Sequence, residues 1–154
     1  MAFQLAGGGI GKAHKLLEAV IRDRGIDPDK HRVTAAEGGA AWAVAFGSAA
    51  VMIALNPGVD KAPARLRIVS PVIRMPQGPN RDLFKRLLEL NGTDLPGVAF
   101  GVVKNEIVLV AERSVRGLDR AEVEEMLSMI GNLADQYDDR LVQQFGGTRV
   151  CDLD

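Results

Sequence analysis

The chain has 154 residues, close to the size of a common single domain, and 47% of them are hydrophobic against 25% charged, a balance that can bury a core and excludes a disordered chain. A formal charge of -1 and a pI near 6.1 give no general attraction to nucleic acid. Cys151 is the only cysteine, which excludes an internal disulfide and fits a reducing, cytoplasmic setting.

Residues 1–9 carry three consecutive glycines and read as a flexible arm, without the basic-then-apolar pattern of a signal peptide. Over residues 10–24, Leu16, Leu17, Val20 and Ile21 share one helical face, while Lys12, Lys15, Glu18 and Arg22 face water. His14 falls on the charged side, so an exposed imidazole is expected. Gly25 and Asp27-Pro28 stop this helix.

Trp42, Val44 and Phe46 then alternate with Ala41, Ala43 and Ala45, the period-two pattern of a strand with one large face and one small face. Gly47-Ser48 turns the chain into a second strand over 50–55, where Val51, Ile53 and Leu55 share a face. After the turn at Asn56-Pro57-Gly58, a third strand over 65–69 sets Leu66 and Ile68 opposite Arg65 and Arg67. Pro71 and Pro76 confine it to a sheet edge or break it.

Asn80 caps a second helix whose apolar residues are Leu83, Phe84, Leu87, Leu88 and Leu90, and Asn91-Gly92 ends it. Residues 98–103 and 107–111 flank a connection too short for anything but antiparallel pairing. Asp119 and Glu122 have capping-box spacing ahead of the longest helix, whose stripe runs through Val123, Met126, Leu127, Ile130, Leu133, Ala134, Tyr137 and Leu141. Gly146-Gly147 ends it and leaves a polar tail over 146–154.

The order α-β-β-β-α-β-β-α implies an α+β fold, a mainly antiparallel five-stranded sheet packed by helices in a single domain over residues 10–145. Five strands leave two edges, and a twofold homodimer is the common way to cover them. The interaction surface is expected on these strands, among Trp42, Val44, Phe46, Val51, Ile53, Arg65 and Arg67, with the alanine face opposite Trp42 and Phe46 the first place for a second copy. The alternative cover for that face is the chain's own helix.

No constellation for chemistry emerges. Residues 6–13, AGGGIGKA, depart from a phosphate-binding loop at Ala6, where glycine is needed, and at Ala13, where a hydroxyl would hold magnesium. His14 and His31 lack metal-ligand spacing. Ser48, Ser70, Ser114 and Ser128 lack the context of a nucleophile, and Cys151, in the tail, reads as an inert thiol. The acidic groups Glu122, Glu124, Glu125 and Asp135, Asp138, Asp139 read as a solvated helix face. Arg65, Arg67, Arg74, Arg81, Lys85 and Arg86 form a basic stretch without interleaved aromatics, better suited to an acidic partner than to RNA or DNA. No cofactor, metal or nucleic acid is expected, and no membrane partner, since the longest apolar run, residues 40–55, falls short of the roughly 20 needed to span a bilayer.

Ser70-Pro71 with Met75-Pro76, the run Leu87-Leu88-Glu89-Leu90-Asn91, the following hairpin, Gly117-Leu118 and Ala134-Asp135-Gln136-Tyr137-Asp138-Asp139-Arg140-Leu141 together resemble the YbjN-domain family, which belongs with the type III secretion chaperone-like fold. The likeness spans residues 10–145 and is strongest from Leu66 onward. It implies a protomer that dimerises and holds an extended or unfolded segment of another protein, and it carries no catalytic residues with it. The reading is therefore a noncatalytic, homodimeric, chaperone-like module. Its alternative is a regulatory small-molecule or enzyme domain with a pocket between the sheet and the last helix, using Arg65, Arg67 and the acidic helix face.

Overall fold

The computed structural model describes residues 8–153, so residues 1–7 of the arm expected over 1–9 lie outside the described residues, while Gly8 and Gly9 belong to a helix. Helix α1 (Gly8–Asp23) begins within the glycine run, and Gly25, at φ +77°, makes the left-handed turn that stops it. Pro28–His31 forms a short 3-10 helix capped by Asp27. Strands β1 (Ala40–Phe46), β2 (Ala49–Asn56) and β3 (Arg65–Arg74) follow, then α2 (Arg81–Thr93), the hairpin of β4 (Ala99–Val103) and β5 (Glu106–Ser114), α3 (Arg120–Phe145) and β6 (Thr148–Arg149).

The sheet has six strands in the order β1-β2-β3-β5-β4, with β6 pairing β3 off that path. The expected five-strand count is thus corrected. The tail is no loose end: Gly146 and Gly147 take φ +85° and +89°, and the turn lays Thr148 and Arg149 antiparallel to Arg74 and Ile73. Left-handed backbone in both residues is what glycine permits cheaply.

β3 is also longer than its prolines suggest. It runs through Pro71 and lies inside the strand order, not at an edge. A proline there cannot donate a backbone hydrogen bond. Beside it, the buried Ser70 hydroxyl donates to the Ala50 carbonyl of β2 at 2.8 Å, a side-chain tie between the two strands next to the proline.

The chain forms two compact units. One comprises the described residues up to Val44, with Met52–Ile68 and Glu112–Leu127. Its buried side chains include Leu17, Val20 and Ile21 of α1, Trp42 and Val44, Ile53 and Leu55, Leu66 and Ile68, and Val123 and Leu127. The capping box expected at the start of α3 is present here: Glu122 N donates to Asp119 Oδ1 at 2.9 Å, and Asp119 N to Glu122 Oε2 at 3.0 Å.

The other unit comprises Ala45–Val51, Val69–Ala111 and the chain from Ser128 onward. Val72, Ile73, Leu83, Leu87, Leu90, Ile107, Leu109, Ile130 and Leu141 are buried in it, and Phe100 meets Tyr137 edge to face at 5.4 Å. The hairpin register pairs Phe100 with Leu109 and Val103 with Glu106. Its turn is Lys104-Asn105, with Lys104 at φ +53°.

Two local expectations change. α2 continues through Gly92 to Thr93, and the left-handed turn falls at Gly97, φ +70°. Asn80 stands at the start of α2, but its amide donates to the Pro76 carbonyl at 3.3 Å and does not cap the helix.

Candidate interaction surface

Alternation along β1 and β2 decides which face is available. Trp42, Val44, Val51 and Ile53 are buried, Phe46 is half-buried, and Ala43, Ala45, Ala50 and Met52 are exposed. Four of the seven residues expected at the interaction surface are therefore corrected to interior positions. Large side chains gain most from leaving water, so they take the core face and leave Ala43 and Ala45 outside, although Ala41 is buried as well. Phe46 fits because position 131 of α3 is glycine: a Cβ there would lie 2.9 Å from Phe46 Cδ1.

Arg65 and Arg67 are the other two expected residues, and both grip Glu112 of β5. Arg65 Nε donates to Oε1 at 2.7 Å and Arg67 Nη1 to Oε2 at 2.6 Å. The Arg65 hydrogen bond, helped by Arg67 and opposed by desolvation, holds the Glu112 carboxyl below its ordinary value. The trio keeps one net positive charge.

A second network surrounds His14, which is half-buried and not the free imidazole expected. Its ring meets Trp42 edge-on at 5.2 Å, Glu18 Oε1 lies 3.0 Å from its Nε2, and Arg32 Nη2 lies 2.7 Å from the same Nε2. Arg32 also reaches Glu18 Oε1 at 3.2 Å and stacks its guanidinium 5.0 Å from the Trp42 ring centre. Burial pulls the Glu18 carboxyl upward, but His14, Arg22 and Arg32 outweigh it and leave it below its ordinary value. Trp42 Nε1 is buried without a hydrogen-bond partner.

The ends of the strand order are not bare. At β1, Val33 N donates to the Ala41 carbonyl at 3.0 Å, and Arg32 bridges Trp42 in antiparallel fashion. At β4, the Asn91 side chain takes both backbone groups of Phe100: Oδ1 accepts from Phe100 N at 2.7 Å, and Nδ2 donates to its carbonyl at 3.1 Å. Among its exposed residues the second unit carries several large apolar ones. Phe84 and Leu88 on α2 are 39% and 70% exposed, and Val102 and Val103 on β4 are 50% and 45% exposed. Pro79, Arg81, Lys85 and Glu89 frame Phe84 and Leu88 in a shallow depression. A signal for this face existed in the sequence, since five apolar residues between Leu83 and Leu90 are more than one buried stripe needs. The pairings of Glu112 and His14 depend on tertiary contacts and had no such signal.

Neither Arg65 nor Arg67 lines the two further hollows of the surface. The crevice lined by Ala50, Pro71, Ala134, Asp135, Asp138 and Cys151 measures about 10 Å³, no more than a single water needs. A hollow of about 360 Å³ at the start of α1 is lined by Gly9, Ile10, Lys61 and Arg116. Gly9 and Ile10 are there wound into helix, not arranged as a phosphate-cradling loop.

Asp138 is buried, against the expectation of a wet acidic face. Cys151 Sγ lies 3.8 Å from its Oδ2, and burial, then Asp152, raises the thiol above its ordinary value despite Arg149. Among the described residues no group of His, Cys, Asp or Glu is arranged to hold a metal ion, and no helix is long and apolar enough to cross a membrane.

Among the described residues, three α-helices and a mainly antiparallel sheet with an open apolar helix face make an α+β protein. The profile of the type III secretion (YopN, CesT) and YbjN peptide-binding chaperone family matches residues 14–153, and the chain belongs to that family. Among solved structures, a chain of the ExsC-ExsE complex shares the fold with a TM-score of 0.64 and 17% identity over 86% of this chain and 95% of that one. A chain of the HopA1-SchA chaperone-effector complex does so with a TM-score of 0.56 and 13% identity over 82% and 93%. No curated protein matches.

Proposed function

We propose that the protein is a noncatalytic, homodimeric chaperone that holds an extended segment of a partner polypeptide. The observation that carries this reading is the pair of exposed apolar side chains on α2, Phe84 and Leu88, beside the buried stripe of Leu83, Leu87 and Leu90. Water-facing apolar residues beside a β-edge already closed by Asn91 suit helix docking better than strand addition.

Lys85 and Glu89 flank Leu88 in the same depression. Two copies of α2 crossing antiparallel bring Lys85 of one toward Glu89 of the other, the reciprocal pattern of a twofold interface. In the first unit, the exposed Ala43 and Met52, with the net positive Arg65–Glu112–Arg67 trio, then offer surface over which a partner segment lies. Family membership supports a peptide as the bound species.

Light scattering of the purified chain should give a dimer, and Leu88→Glu should give a folded monomer. Mass spectrometry of material purified from the native host should identify a co-purifying polypeptide. A wild-type monomer at micromolar concentration with no bound polypeptide would sink the proposal.

A further inference from the structure

Arg65 and Arg67 stand two residues apart on β3 and close on one carboxylate, that of Glu112 on β5. We infer that this arginine pair and the apolar strip beside it seat an acidic, extended segment of the partner polypeptide, with a carboxylate of that segment bound across the two guanidiniums. The inference rests on the reading of the chain as a peptide-holding chaperone and states which peptides it holds.

Alternation fixes the face. On the neighbouring strands β2 and β3, the buried Ile53 and Leu66 take the core side. Met52, Ala54, Arg65 and Arg67 stand at the alternate positions and share the other side. On β1, Ala43 lies between the buried Trp42 and Val44 and is itself exposed. Met52 is 48% exposed, although its side chain would gain from burial. A methionine adapts its shape to varied apolar partners, and the alanines beside it leave room for a backbone to come close.

Charge then selects the occupant. The Glu112 carboxyl is held below its ordinary value and is ionised near neutral pH, so one carboxylate against two guanidiniums leaves one positive charge. A guanidinium carries five N–H donors. Arg65 gives Nε and Arg67 gives Nη1 to Glu112, and both side chains stay 40% or more exposed, so each keeps donors for a second acceptor. Glu112 also holds the two forks in place before anything binds, which lowers the ordering cost of a charge-assisted contact. A single carboxylate matches the single excess charge. A nucleic acid strand finds less here: Ala43, Met52 and Ala54 offer no ring for a base to stack on, and a chain of net charge -1 draws no polyanion from a distance.

The test is fluorescence anisotropy with three labelled synthetic peptides about ten residues long, the longer end of a natural strand. Each alternates valine with serine, has capped ends, and carries Glu, Gln or Lys at its centre. Wild type should bind the Glu peptide about tenfold or more tightly than the Gln peptide, the scale of a hydrogen bond between charged groups, and the Lys peptide most weakly. Arg67→Glu turns the net charge of the trio negative and should reverse the order, Lys over Glu. Lys12→Glu makes the same charge change at an exposed position of α1 and should keep the wild-type order. Should Arg67→Glu not fold, Arg67→Gln takes its place, and the preference for Glu should then disappear. Equal binding of the Glu and Gln peptides, or a Glu preference that survives in the Arg67 variants, overturns the acidic seat and leaves the chaperone reading standing. Tighter binding of a single-stranded oligothymidylate than of the Glu peptide overturns it as well. Binding of none of the three peptides also overturns the seat, and the chaperone reading falls with it only if no polypeptide co-purifies from the native host.

Discussion

The side chain of Asn91 completes the backbone hydrogen bonding of Phe100, accepting from its N–H and donating to its carbonyl. One amide on α2 thus occupies the positions that a neighbouring strand would use on β4. Asn91→Ala should lower stability by about 1–3 kcal/mol, since two half-buried backbone groups lose their partners. Denaturant unfolding measures the loss, and faster exchange of the Phe100 amide should accompany it. Asn91→Asp keeps the acceptor but not the donor, and should fall between the two.

Leu87→Ala and Ile130→Ala should each cost about 2–5 kcal/mol, the range for removing buried aliphatic volume. Both side chains are buried within the second unit, on α2 and α3 respectively. Unchanged unfolding midpoints in both variants would contradict the assignment of these residues to the core.

Gly147→Ala should detach β6. At φ +89° a non-glycine residue is strained by roughly 1–2 kcal/mol, and the added Cβ would collide with the Arg74 carbonyl. The readout is Cys151: its thiol, raised by burial and Asp152, should react slowly with an alkylating reagent near neutral pH in the parent and faster in the variant.

The Glu112 carboxyl, ordinarily at 4.5, is held lower in the fold, chiefly by its Arg65 hydrogen bond. A lowered folded value means stability that is present above the unfolded value and lost as pH falls through the folded one. Wild type should therefore lose stability below about pH 4.5 in part through this group, and Glu112→Gln should flatten that part of the profile. The pair is largely exposed, so the difference should stay below about 1 kcal/mol. Thermal unfolding from pH 3 to pH 6 would show it.

Regular periodicity made most of the architecture legible. Trp42, Val44 and Phe46 against three alanines marked a strand, the spacing from Val123 to Leu141 marked a long helix, and Asp119 with Glu122 marked where that helix starts. The errors came where a distant group supplied what the local sequence lacks. Pro71 argued against an interior strand, yet beside it the Ser70 hydroxyl ties β3 to the Ala50 carbonyl, and the tail looked unsupported until two glycines turned it onto β3. For the surface, alternation identified two faces of β1 but not which one faces water. That choice follows from the size of Trp42, which burial rewards. His14 read as exposed because its partners, Arg32 and Trp42, are remote in sequence and come from outside its helix.

The pairing of Ile73 with Arg149 joins residues almost half the chain apart. Contacts of such separation form after local ones, because the intervening chain must be ordered before the closure is rewarded. β6 should accordingly be a late event in folding and an early one in unfolding. Because Cys151 follows β6 almost at once in sequence and its thiol is raised in the fold, the rate at which its reactivity falls in a refolding experiment times the closing step of the sheet.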